Sequence, residues 1–280
     1  MIKAIISDID NTLYSHKERR FPSSTLEAIS ILRKKGIEIY LASGRNFYLI
    51  RKSGILNYIQ PDGLITMNGA QVLVNHETIY LHPIPEETVD ALIKFSKRLK
   101  FGLTLIEEVE GHINMIDERV IQAHEKYGTR FPQPRTFPDH YDRVIYQAIA
   151  FCDSFDESLF LPHLKDCKTA RWDEYAVDIM PIDSDKAKGV NSLLKHKGWT
   201  KDDIIAFGDG ENDVEMIQTA GIGIAMGNAK DCLKAQADFV TTDIDNSGFV
   251  RALYHYKLLD EIEFKYCLKL DKLQKDSQDF

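Results

Sequence analysis

Two aspartates one residue apart, in the run Asp8-Ile9-Asp10-Asn11-Thr12, are the first residues of this 280-residue chain whose spacing suggests chemistry. They follow an apolar stretch at residues 2–6 that suits a strand buried on both faces. In extended chain, residues two apart point the same way and lie about 6 to 7 Å from each other. At that distance and an effective dielectric near ~20, two carboxylates repel by roughly 3 kcal/mol, about two pKa units. Such a pair calls for a cation, a shared proton, or both. One carboxylate could attack phosphorus while its neighbour gives a proton to the leaving oxygen. The competing reading is a turn in which both only cap backbone groups.

Three further segments have the residue types to complete such a site. Ser43-Gly44-Arg45 follows a predicted strand at 37–42 and offers a hydroxyl and free backbone N–H groups at a helix start, a phosphate cradle or simply a turn. Gly208-Asp209-Gly210-Glu211-Asn212-Asp213 follows a predicted strand at 204–207. It is a dense set of the oxygen ligands that Mg²⁺ prefers, or else an acidic turn capping the next helix. Lys188-Gly189 opens a predicted helix, where an ammonium group could neutralise phosphate and carboxylate or stay solvated.

The elements that must position these groups alternate. A strand at 2–6 leads to a helix with capping-box spacing at Ser24 and Glu27 and a stop at Gly36, then to the strand at 37–42. The pattern resumes after residue 185 with helices near 187–196, 213–219 and 230–237 and strands at 204–207, 222–225 and 239–241. Alternation of this kind predicts a parallel sheet with helices on both faces, and such sheets bind ligands at the carboxyl ends of their strands. Between the halves the pattern changes. Helices at 86–100, 118–127 and 157–165 mix with strands at 103–107, 112–116, 144–151, 170–172 and 175–180, and the Pro-rich stretch at 131–138 reads as a loop. Near the C-terminus, Leu259, Ile262, Tyr266, Leu270 and Leu273 form an apolar stripe at helical spacing, expected to pack on the chain's own core.

Composition narrows the function. Thirty-five Lys and Arg against 43 Asp and Glu give a net charge of −8 with no basic patch, which disfavours a nucleic-acid partner. A small anionic substrate then needs a metal ion and placed donors to overcome the general field. No stretch approaches the ~20 apolar residues of a membrane span, and no N-terminal stretch reads as a signal peptide. The four cysteines lack CxxC spacing and suit reduced thiols in a cytoplasmic protein.

Together the four polar segments resemble the haloacid dehalogenase superfamily, whose signature is a DxDx[TV] loop, a Ser/Thr after the second strand, a Lys, and an acidic GDxxxD loop. The position of the insertion, and the phrases Met67-Asn68-Gly69-Ala70, Asp178-Ile179-Met180-Pro181 and Ala225-Met226-Gly227-Asn228-Ala229, resemble its Cof-type, subclass IIB phosphatases. The resemblance implies a Rossmann-like α/β core at 1–82 and 184–280 and an inserted α+β cap domain of C2B type at 83–183. It implies hydrolysis of small phosphorylated metabolites, with Asp8 as nucleophile and Asp10 as general acid and then base. Ser43, Gly44, Lys188 and Asn212 would hold the phosphoryl group. Mg²⁺ would be held by Asp8, Asp209 and the main-chain carbonyl of Asp10, with Asp213 close by. Lys186 and Lys188 cannot both face the site, because two residues of helix span about 200°. Lys188 is favoured, since the family's lysine typically precedes a glycine. The alternatives are a sugar phosphomutase of the same superfamily and a non-catalytic phosphate-binding module.

Overall fold

The apolar N-terminal run becomes strand β1 (Ala4–Asp8), in which every residue is buried. In the computed structural model, which describes residues 1–126 and 130–276, the chain forms two compact units. One comprises 1–45, 51–79 and 185–280, the other 46–50 and 80–184.

The chain continues through α1 (Ser23–Lys34), β2 (Glu38–Ala42), α2 (Phe47–Lys52), β3 (Gly63–Thr66), β4 (Gln71–Val74) and β5 (Glu77–Leu81). The second unit holds α3 (Glu86–Leu99), β6 (Gly102–Ile106), β7 (Gly111–Ile113), α4 (Glu118–Lys126), β8 (Gln133–Pro134), β9 (Gln147–Phe151), α5 (Ser154–Phe160), β10 (Cys167–Asp173) and β11 (Ala176–Pro181). The first unit then resumes with α6 (Lys186–Lys197), β12 (Ile204–Gly208), α7 (Val214–Thr219), β13 (Ile222–Ala225), α8 (Asp231–Lys234), β14 (Phe239–Val240), α9 (Gly248–His255) and α10 (Glu261–Asp276).

The larger sheet has the order β14-β13-β12-β1-β2-β3-β4-β5. From β14 to β3 its neighbours run parallel, as helix-linked strands must, and β3 and β4 pair antiparallel through the short turn at Met67–Gly69. Asp8 pairs with Ala42 and Ser7 with Phe207. The register thus brings the carboxyl ends of β1, β2 and β12 level, so the loops beginning at Ile9, Ser43 and Asp209 leave the sheet side by side.

The second sheet runs β10-β11-β9-β6-β7-β8 and is antiparallel except for the β7–β8 pair. Val89, Leu92 and Ile93 of α3 and Phe160 of α5 pack with Leu103, Leu105, Val177 and Ile179 to make its core. Helix α5 starts earlier than residue 157 because the Asp153 side chain caps it at the Asp156 N–H (2.8 Å). It yields to a 3₁₀ turn, Leu161–His163, where Pro162 removes a backbone donor. Residue 127, the expected end of α4, lies outside the described residues, and the expected loop at 131–138 contains the short strand β8.

Two expectations for the first unit are corrected. The Ser24–Glu27 capping box does not form, and α1 starts at Ser23 after Pro22 without a side-chain cap. Instead the Ser24 N–H (2.8 Å) and hydroxyl (2.5 Å) donate to the buried carboxylate of Asp271, which also accepts the Ser247 hydroxyl (2.6 Å). A carboxylate from α10 thereby satisfies a first-turn N–H that a local cap would otherwise take. The C-terminal apolar stripe is corrected in part: Leu259 is buried and Leu270 half-buried, but Ile262, Tyr266 and Leu273 are 80%, 51% and 54% exposed, and α10 buries Cys267 and Asp271. Choosing the face that carries Asp271 turns these three residues outward. Among the described residues no helix is long and apolar enough to cross a membrane.

Asp178 on β11 is half-buried and accepts hydrogen bonds from Gln147 Nε2 and Trp172 Nε1, each at 2.9 Å. Burial outweighs those bonds and lifts its carboxyl from the ordinary 3.8 to about 7. Folding therefore takes up a proton between those values, and this group's contribution falls as pH rises from about 4 to about 7 and is level above. Asp178→Asn is expected to improve stability relative to wild type more at pH 8 than at pH 4.5, read by urea unfolding. The same difference at both pH values contradicts this.

Candidate active site

Asp8 ends β1 with only 7% of its surface exposed. Beyond it the chain folds over itself: the N–H groups of Leu13 and Tyr14 both donate to the Ile9 carbonyl, and Asn11 takes the left-handed conformation (φ 58°) that asparagine tolerates. The Thr12 hydroxyl donates to Asp209 Oδ1 at 3.0 Å, tying this loop to the one after β12. Asp10 faces two partners. Arg45 donates from Nε (3.0 Å) and Nη2 (2.6 Å), one to each carboxylate oxygen, and His16 Nε2 lies 2.7 Å from Oδ1. Burial pushes the Asp10 carboxyl up, but the His16 hydrogen bond and the Arg45 charge together hold it below the usual range.

Ser43 follows β2, is buried, and accepts the Arg45 N–H on its hydroxyl at 3.1 Å. Beside it, Gly44 leaves room for Asn68, whose side chain would lie 3.2 Å from a Cβ at that position. Asn68 accepts from Asn212 Nδ2 at 3.0 Å, which brings the turn after β3 and the acidic loop to the same edge.

The lysine at the centre is Lys186, which corrects the expectation of Lys188. Lys186 is fully buried, and its Nζ donates to Asp8 Oδ1 (2.5 Å) and Asp213 Oδ1 (2.6 Å). Helix α6 begins at this residue, capped by Asp185, whose side chain accepts the Lys188 N–H at 2.7 Å. With the helix starting one residue earlier than expected, position 186 faces the site and 188 is rotated away. Gly189, which suggested Lys188, serves packing: a Cβ there would sit 2.4 Å from Ile65 Cγ2 and 3.2 Å from the Gly69 Cα.

Asp213 is 1% exposed and uses its other oxygen to accept the N–H groups of Asp209 (3.0 Å) and Gly210 (2.9 Å). Ligand atoms of Asp8, Asp209 and Asp213 all lie within 4.8 Å of one another. Burial raises the Asp8 carboxyl well above its ordinary value against the pull of Lys186, with Asp213, Asp10 and Asp209 adding to the rise. Asp209 is lifted to about 6, by burial first and then by Asp213. Burial alone would lower the Lys186 ammonium, but Asp213 and Asp8 raise it above an ordinary lysine. One cation thus faces three clustered carboxylates, a set of hard oxygen donors with an uncompensated charge.

The sequence pattern that defines haloacid dehalogenase-like hydrolases matches residues 5–253. The chain belongs to this family. This hydrolase is 31% identical over 259 residues to YkrA of Bacillus subtilis (strain 168), across 92% of this chain and 98% of that protein. It is 25% identical to the pyridoxal phosphate phosphatase YbhA of Escherichia coli (strain K12), across 91% and 98% of the two chains. It also superimposes on the subclass IIB sugar phosphatase BT4131 with a TM-score of 0.78 and 33% identity, covering 92% of this chain and all of that one. The fold is accordingly the Rossmann-like α/β class of this family, and the hydrolase acts on phosphate monoesters.

The sequence alone did not place His16, Asn68 or Thr12 in the site, and it gave Arg45 as part of a phosphate cradle. Thr12 was signalled by its place in the DxDx[TV] run and Asn68 by the phrase Met67-Asn68-Gly69-Ala70, whereas His16 meets the site through loop closure alone. Lys186→Ala is expected to lower phosphate release at least ~100-fold, because the ammonium balances both Asp8 and incoming phosphate. Lys188→Ala is expected to stay within about twofold of wild type, since its side chain is on another face of the helix. Parallel phosphate-release assays check this, and equal losses in the two variants contradict it.

Proposed function

We propose that this phosphatase hydrolyses small phosphorylated metabolites with Mg²⁺ by passing the phosphoryl group through Asp8. The supporting observation is the contact of buried Lys186 with Asp8 inside a cluster of three carboxylates. Mg²⁺ fits a donor set made only of carboxylate and carbonyl oxygens. Asp8, Asp209 and the Asp10 main-chain carbonyl would hold it. Asp213, both of whose oxygens are engaged, would orient Lys186 and the Asp209 loop beside it. When bound, the ion neutralises charge on the carboxylates and the phosphoryl oxygens.

In the first half of the reaction an Asp8 carboxylate oxygen attacks phosphorus. The new O–P bond forms as the ester P–O bond breaks, and the departing oxygen takes a proton from Asp10, which His16 and Arg45 hold ionised in the substrate-free protein and which therefore takes that proton up as the substrate binds. In the second half Asp10 takes a proton from water, which attacks the same phosphorus and frees Asp8 and orthophosphate. The Ser43 hydroxyl, the Gly44 N–H, Lys186 and Asn212 bind the phosphoryl oxygens, so the protein's net charge of −8 does not repel the dianion. These residues use the core's polar groups on phosphate and leave the organic moiety to the inserted unit, which we assign as the cap that selects the leaving group. Sugar phosphates and cofactor phosphates are the substrate classes, in line with what BT4131 and YbhA are named for. The unpaired cysteines suit a reducing cytoplasm.

A phosphate-release screen over sugar phosphates, nucleotides and cofactor phosphates tests the reading. Turnover is expected to stop on chelation and return with added Mg²⁺. Asp8→Asn is expected to show none, because an amide does not attack phosphorus. Near-normal turnover in that variant, or indifference to chelator, would overturn the mechanism.

A further inference from the structure

The loop between Asn11 and Phe21 is built to deliver one imidazole. The Asn11 N–H donates to the Tyr14 carbonyl (2.7 Å), and Ser15 and Arg20 exchange backbone hydrogen bonds (2.9 and 3.2 Å), which closes the loop on itself. Phe21, 4% exposed, anchors the base. Tyr14 packs edge-on against Phe21 (centroids 5.1 Å apart, planes at 70°), and His16 packs edge-on against Tyr14 (5.3 Å, 82°). The His16 N–H turns back to Asn11 Oδ1 at 3.4 Å. The outcome is an imidazole that is half-exposed, yet fixed in direction with Nε2 2.7 Å from Asp10 Oδ1. Arg45 holds the same carboxylate from the other strand end, with one nitrogen on each oxygen.

A half-exposed carboxylate that must reach a leaving oxygen has rotamer freedom to lose. Errors of about 1 Å in such a group cost up to ~100-fold in rate. Arg45 alone leaves the Asp10 side chain free to swing with the long arginine arm. A second contact from a ring packed edge-on against Tyr14, itself held by Phe21, removes that freedom. The two rings beneath this solvent-facing histidine, Tyr14 and Phe21, fix its direction, and its terminal contact is the proposed proton carrier.

We propose that His16 is a positioning residue that fixes the Asp10 carboxylate for proton transfer to the leaving group, with Tyr14 and Phe21 as its brace. The inference rests on the role proposed for Asp10, and its test separates the two. A purely structural role for His16 would affect all esters alike, whereas a role through Asp10 depends on how much proton help the leaving group needs. An alkoxide departs poorly without a proton; p-nitrophenolate departs readily.

The experiment compares wild type, His16→Ala and His16→Gln as full chains with Mg²⁺. The substrates are p-nitrophenyl phosphate and the best alkyl phosphate from the screen. The parameter read is kcat/KM, which reports the half-reaction in which the leaving group departs. His16→Ala is expected to lose about tenfold or more on the alkyl ester and less than about threefold on the aryl ester. His16→Gln, which keeps an N–H of similar reach, is expected to recover most of the loss. Equal losses on the two esters, no loss on either, or no recovery with glutamine despite an unchanged melting temperature would overturn the positioning role. A wild-type protein that releases phosphate from neither ester would instead overturn the reading of the site on which it rests.

Discussion

The site depends on one ion contact, the buried ammonium of Lys186 between Asp8 and Asp213. Burying a charge is costly unless it is paired and fully hydrogen-bonded, and removing one partner of a buried pair costs about 3–5 kcal/mol. Here the pairing is deliberately incomplete: Lys186 has two carboxylates on it, and Asp209 adds a third within ligand distance. Burial first, and then the neighbouring carboxylates, raise the carboxyls of Asp8 and Asp209. Such a cluster is stable as a carboxylate set only when further positive charge arrives.

The rest of the first unit can be read as what that contact demands. Three neighbouring parallel strands bring Asp8, Ser43 and Asp209 out at one edge, because parallel pairing aligns carboxyl ends. The lysine must come from a helix that approaches this edge very closely, and the approach is made possible by Gly69 and Gly189. A Cβ on Gly69 would lie 1.9 Å from the Asp185 carbonyl oxygen, and Gly69 also takes φ 89°. Asp213 then orients Lys186 while its second oxygen gathers the N–H groups of Asp209 and Gly210, so a single side chain sets both the cation and the shape of the acidic loop.

Much of this was legible in the sequence because it is written in local patterns. Asp8 and Asp10, Ser43, and Asp209 through Asp213 follow apolar strands, and strand ends in an alternating α/β chain converge without any knowledge of contacts. What escaped depends on long-range choices. Lys186 and Lys188 differ by a rotation that is set by where α6 begins, which Asp185 decides by capping, and the glycine that favoured Lys188 answers to Ile65 and Gly69. Ser24 resembled a local cap, yet its partner is Asp271, 247 residues away. That same carboxylate turned α10 so that Ile262, Tyr266 and Leu273 face outward, which periodicity cannot foresee when a buried polar residue outranks three apolar ones. His16 was invisible for a similar reason: its direction comes from the edge-on packing of Tyr14 against Phe21, and no spacing rule relates it to Asp10.

If the carboxylate cluster is the organising feature, the ion should bind before any substrate does. Calorimetric titration of Mg²⁺ into the substrate-free protein measures this directly, at pH 7.5 and again at pH 5.5, below the raised value of about 6 at Asp209. The expected result is one ion per chain at pH 7.5, weaker binding at pH 5.5 because protons must be displaced from the ligands, and loss of binding in Asp209→Asn at both. Binding that is absent at pH 7.5, or that survives unchanged in Asp209→Asn, would contradict a metal site built on these carboxylates.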